Sequence, residues 1–138
     1  MRPGACSCTR ATRARYQRRI SAPLLDRFDL VVPLDRPSAD DLLSETPGES
    51  SARVAARVAA ARARAEHRAA GPGEPRVAPD AVNLLEEKLR DGLLSARGLQ
   101  KVKRVARTVA DLDGQHVVSH AHVSEAISLR AGRRAIVT

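Results

Sequence analysis

One run of β-type residues, followed only by helical periodicity, constrains this chain more than any other feature. Phe28-Asp29-Leu30-Val31-Val32-Pro33-Leu34 reads as a strand, and Pro33 ends its pairing because proline donates nothing to a ladder. A single strand is not stable alone. After Pro37 the apolar residues recur at helical spacing. The expectation is a mainly α chain in two parts. Residues 1–35 form the trailing edge of something that contains a sheet, and residues 36–138 form a helical bundle just large enough to bury a core. The aromatic residues are limited to Tyr16 and Phe28, so that core must use Leu, Val, Ile and Ala, which suits close helix-on-helix packing.

Start and stop signals divide the chain further. Thr9 caps a basic helix running to about Arg19, and Ser21 opens a short turn with Pro23 in its first turn. Ser38 and Asp41 read as a capping box for a helix through Leu43. Ser50 or Ser51 caps a long Ala/Arg helix with Val54, Val58 and Ala61 on one face, and 71–75 break it. A helix from Pro79 to Arg90 shows Val82, Leu85 and Leu89 at helical spacing and ends at Gly92. Ser95 caps the most regular helix, whose stripe is Leu99, Val102, Val105, Ala106, Val109 and Leu112, with Gly114 as its stop. Arg97, Lys101, Arg104 and Asp111 lie on the opposite side. Ser119 caps the last helix, with Val123, Ile127 and Leu129, before a basic tail at Arg133-Arg134. His116, His120 and His122 flank that cap and have no metal spacing.

The net charge of +8, with arginine as most of the 24 basic residues, suits polyanions such as nucleic acid, nucleotide phosphates or an acidic protein surface. A coding bias toward Arg and Ala accounts for it equally well. No apolar run approaches the ~20 residues that cross a bilayer, and no signal-peptide core opens the chain. The Arg-rich start, without an acid before Asp26, imitates a transit peptide, but a cytoplasmic protein is the default expectation. Cys6 and Cys8 stand too close for an ordinary disulfide, and two thiols supply only half of a tetrahedral zinc site. They are ordinary loop thiols in the plain reading and weak metal candidates otherwise.

Two motifs carry chemistry. Ile20-Ser21-Ala22-Pro23-Leu24-Leu25-Asp26-Arg27-Phe28-Asp29-Leu30 presents an acid and an arginine at the end of a short helix, just before a buried strand. It resembles the segment before the last core strand of AAA+ ATPases in the magnesium chelatase, ComM/YifB-like and, more distantly, MCM helicase group. The resemblance implies that Arg27 is the arginine finger, acting in trans on a neighbour's ATP, with Asp26 in support. A permanently charged planar guanidinium suits contact with two γ-phosphate oxygens. The plain alternative is a surface ion pair beside a core strand. Leu93-Leu94-Ser95-Ala96-Arg97-Gly98-Leu99 is similar to the sensor-2 motif of the same group, which implies that Arg97 contacts the ATP γ-phosphate in cis. A helix N-terminus already favours anions, and an arginine there adds a fork of donors. Taken alone, a capped helix with a solvated arginine explains this motif as well; the order of the two motifs favours the functional reading. Members of the group also carry two Cys-x-Cys pairs, of which Cys6-Ser7-Cys8 matches the second.

There is no G-x-x-x-x-G-K-[ST] phosphate loop and no apolar run ending in paired acids to hold Mg²⁺. The chain is therefore expected to be the end of an AAA+ α/β core (1–35) followed by an all-α helical lid of the magnesium-chelatase C-terminal type (36–138). It would not bind ATP and Mg²⁺ alone. Its expected partners are the missing core and homologous subunits, a hexameric ring in the family, and DNA if its output is DNA remodelling. The rival expectations are a stand-alone basic helical module that binds DNA or protein without ATP, and a non-functional gene fragment.

Overall fold

The computed structural model describes residues 8–17, 19, 21–32, 34, 37–44, 46–71 and 76–137. In chain order these form α1 (Arg10–Gln17), α2 (Ala22–Arg27), α3 (Ala39–Leu43), α4 (Ser51–Ala69), β1 (Arg76–Val77), α5 (Pro79–Arg90), α6 (Ala96–Leu112), β2 (Val117–Val118) and α7 (His120–Val137). The chain is mainly helical, as its periodicity demands.

The helices α1, α2, α3, α4 and α6 begin where a side-chain oxygen takes a backbone donor that the helix leaves unsatisfied, whereas α5 starts at Pro79 with no side-chain cap. Thr9 Oγ1 accepts from the Thr12 N–H at 3.2 Å, and Ser21 Oγ from Leu24 at 3.3 Å. Ser38 and Asp41 form the reciprocal capping box, both bonds at 3.0 Å. Ser50 rather than Ser51 caps α4, accepting from Arg53 at 3.4 Å, and Ser95 accepts from Gly98 at 3.0 Å. Gly92 (φ +67°) and Gly114 (φ +71°) end α5 and α6 in the left-handed conformation that a side chain would strain. The turn after Gly114 closes with the Gln115 N–H donating to the Ala110 carbonyl at 2.8 Å.

The core lies among α5, α6, α7 and β2, and includes Ala81, Leu85, Val102, Ala106, Ala110, Val118, Val123 and Ala126. Its largest fully buried side chains are only Val102 and Val123. Small residues let the helices approach closely, but each then removes little apolar area from water.

Four expectations are corrected. No strand forms between residues 28 and 34 among the described residues. A strand needs a neighbouring edge, and here the Val31 N–H finds the Leu129 carbonyl of α7 instead, at 2.9 Å. The strands that do form, β1 and β2, were not foreseen: they pair in parallel with Arg76 opposite Val117 and Val77 opposite Val118. Two residues each are too short to show a period. The basic pair Arg133-Arg134 belongs to α7 rather than to a tail. Finally, α4 buries only Ala61 and leaves Val54 and Val58 exposed, so its apolar stripe is not what holds it.

What holds α4 is a charge network on α6. Asp111, 4% exposed, takes both arms of the Arg68 guanidinium at 2.5 and 2.7 Å and one nitrogen of Arg107 at 3.0 Å. Arg64 donates to the Asp111 carbonyl at 2.9 Å, and Arg107 to the carbonyls of His116 (2.8 Å) and Gln115. Burial alone would push the Asp111 carboxyl up. The Arg68 hydrogen bond and the charges of Arg107 and Arg68 outweigh it and hold it below the usual carboxylate value. The same bond raises the Arg68 guanidinium above its ordinary value. Asp111, on the side opposite the apolar stripe, is the polar pin between two helices.

Candidate functional site

The short helix α2 and the first turn of α6 meet at Arg130, in the middle of α7. Asp26, the next-to-last residue of α2, accepts from Arg130 Nη2 at 2.9 Å and lies 3.8 Å from Arg97 Nη1. The two expected motifs, far apart in sequence, therefore share one rim. Arg97 is 67% exposed, while Arg130 is 7% exposed. Arg27, the last residue of α2, is exposed, and its guanidinium engages none of the described residues. Its backbone is held: the Arg27 carbonyl accepts from Lys101 Nζ, and the Phe28 carbonyl from Arg130 Nη1 at 3.4 Å. Asp29 lies 3.2 Å from Lys101 and 3.5 Å from Arg104.

Lys101 and Arg130 were missed as site residues. Helical spacing assigns Lys101 to the polar side of α6, yet it is 8% exposed because residues 27–29 lie over it. Arg130 gives no local signal, being distant in sequence from everything it touches here. One available clue was Gly98: a glycine inside a regular helix signals a close neighbour. A Cβ there would stand 3.4 Å from Arg130 Nε and Nη2 and 3.3 Å from Ser95 Oγ.

The rim brings five basic side chains (Arg27, Arg97, Lys101, Arg104, Arg130) against two acids (Asp26, Asp29), an excess that suits an anion with several negative oxygens. Among the described residues no three metal-ligating side chains cluster. Cys8 is exposed, and Cys6 lies outside the described residues. The buried His122 is a capping residue: its Nδ1 accepts from the Ser119 N–H at 3.0 Å, and its Nε2 lies 3.2 Å from Asp113. No helix among the described residues is long and apolar enough to cross a membrane.

Comparison with known proteins matches two successive stretches of the chain. The family described as magnesium chelatase, subunit ChlI C-terminal, matches residues 48–130, and magnesium chelatase, subunit ChlI, matches residues 1–42. The uncharacterized protein YifB of Escherichia coli is 36% identical over 94% of this chain and 28% of its own length. An uncharacterized protein of Mycobacterium tuberculosis is 37% identical over 93% of this chain, again 28% of its own length. The competence protein ComM of Haemophilus influenzae is 32% identical over 85% of this chain and 25% of its own. The chain thus spans under a third of the relatives it matches. No solved structure matches it.

Proposed function

The chain belongs to the magnesium chelatase ChlI C-terminal family, and from that premise we propose that it supplies the arginine finger and the sensor-2 lid of a ComM-like AAA+ ATPase. The observation that carries this reading is the approach of Arg97 to Asp26, which joins the two motifs on one cationic rim. Residues 1–35 are then the edge of the ATPase core, and residues 36–138 its lid.

The cationic excess of the rim suits a triphosphate, and in this reading the phosphate loop and the Mg²⁺ ligands belong to the ATPase core. ATP held by that core supplies the γ-phosphoryl group; this chain supplies fixed positive charge where negative charge develops during attack by water. Arg27 ends α2 with its side chain exposed, in a place to reach across to a neighbouring subunit. Arg97, 3.8 Å from the neighbouring Asp26, would reach the same phosphate in this reading. Two guanidiniums on one rim fit one nucleotide better than two, so the reading supported best places Arg97 in trans with Arg27 rather than in cis.

In a version joined to an upstream phosphate-loop core, Arg97→Ala is expected to lower ATP turnover about 10²-fold or more. Mixing Arg97→Ala subunits with subunits lacking the phosphate-loop lysine should restore activity, since intact sites then form across the interface. No recovery would return Arg97 to its own chain's nucleotide, and unchanged turnover in Arg97→Ala alone would remove the sensor role.

The likeness to ComM supports DNA remodelling as the output. Arg53 and Arg62 are exposed along α4 and offer phosphate contacts. Duplex affinity should then fall steeply with salt, by a slope of about 0.9 per phosphate contacted. An affinity that is flat with salt would remove DNA from the reading. Salt-sensitive binding that ignores nucleotide in the joined version would favour a stand-alone basic module.

A further inference from the structure

We propose that Arg130, assisted by Lys101, is a positioning residue that ties the aim of Arg27 to the helices carrying Arg97; this rests on the reading of Arg27 as an arginine finger. The segment around Arg27 is gripped at successive residues while its guanidinium projects outward. Arg130 holds the Asp26 carboxylate at 2.9 Å and the Phe28 carbonyl at 3.4 Å, and Lys101 holds the carbonyl of Arg27 itself. Further along, the Val31 N–H is bonded to the Leu129 carbonyl at 2.9 Å, immediately before Arg130. Cations at the last carbonyls of a helix are favourably placed with respect to its dipole.

Both gripping cations are nearly buried, which is costly for a charge unless its partners are specific. The bundle is also shaped around one of them. Gly98 packs against the Arg130 guanidinium, which a Cβ there would just touch at 3.4 Å, and Arg97 is the residue just before it. A shift of the first turn of α6, such as Arg97 would transmit on meeting a phosphate, moves the wall against which Arg130 rests. Through Arg130 it moves Asp26 and Phe28, and with them the backbone that aims Arg27. The glycine after the sensor arginine thus has a mechanical role: it admits the link between the two arginines.

The test uses the 138-residue chain and its Arg130→Met, Arg130→Lys and Lys101→Met variants. Amide hydrogen exchange reads the grip, and side-chain ¹⁵N NMR of the arginines reads their response to inorganic pyrophosphate. In Arg130→Met, exchange at Val31 should quicken at least about tenfold while the amides of Leu85, Val102 and Ala106 keep their protection. Pyrophosphate should shift the Arg27 and Arg97 signals together in the wild type, and Arg97 alone in Arg130→Met. Arg130→Lys, which can still reach Asp26, should restore part of the Arg27 response. If Arg130→Met loses its core protection, Lys101→Met takes its place with the same expected outcomes. Unchanged exchange at Val31, or a joint response that survives the substitution, would overturn the proposal. Silence of both arginines toward pyrophosphate in the wild type is a different failure. It sinks the phosphate reading, while exchange at Val31 still reports whether the grip exists.

Discussion

Arg27→Ala, in a ring-forming version that carries a phosphate loop, is expected to cut ATP turnover about 10³-fold or more while leaving the fold intact. Magnitude and selectivity have one cause. The guanidinium is exposed and engages none of the described residues, so its removal breaks no contact that holds the bundle. Surface changes of that kind move stability by roughly 0.5 kcal/mol at most. In the proposed role its charge would act on a neighbour's γ-phosphate mainly as negative charge develops there, so kcat should fall far more than nucleotide affinity. Arg27→Lys should not rescue, because an ammonium lacks the fork that spans two oxygens. Steady-state turnover alongside thermal melts separates the two effects. Turnover within a few-fold of wild type would remove Arg27 from the mechanism.

Asp111→Asn should have the largest effect on stability, costing about 3–5 kcal/mol and about 10 °C or more in melting temperature. The substitution keeps the shape and removes the one carboxylate shared by Arg68 and Arg107, leaving Arg107 buried without its counter-charge. Arg107 already has one buried nitrogen, Nε, with no partner among the described residues. Since α4 buries only Ala61, its helical signal in circular dichroism should be lost first. Replacing both Arg107 and Asp111 by apolar residues of similar size should cost much less. The pH dependence has a definite sign. The folded carboxyl titrates below its ordinary value, so its contribution is fully present above about pH 4 and disappears as pH falls through the lowered value. Wild type and Asp111→Asn should therefore converge in urea melts as the solution is acidified below that point. A constant gap would show that the charge of Asp111 is not what stabilises the packing of α4.

The sequence marked the ends of helices better than their surroundings. Ser38, Ser50, Ser95, Gly92 and Gly114 act through bonds within a few residues, so local reading finds them. Asp26 and Arg97 could be singled out because each sits in a recognisable local pattern, and the fold brings them within 3.8 Å of each other. The burial of Lys101 and Asp111 was not legible because periodicity tells which side of a helix is polar, not whether another segment lies over it. Arg130 and the Val31–Leu129 bond depend on chain segments that meet only in the fold. The run at 28–34 has strand propensity, but pairing is a property of two segments, and the described residues offer it a helix instead.

The small ladder of β1 and β2 has a kinetic consequence. It joins chain segments about forty residues apart, with α5 and α6 between them. Closing a flexible loop of that length costs roughly 3 kcal/mol, more than two short rungs return. The rungs can close only after α5 and α6 have docked and brought their ends together. The ladder is then a latch set late in folding, whose rupture would leave the helix pair standing.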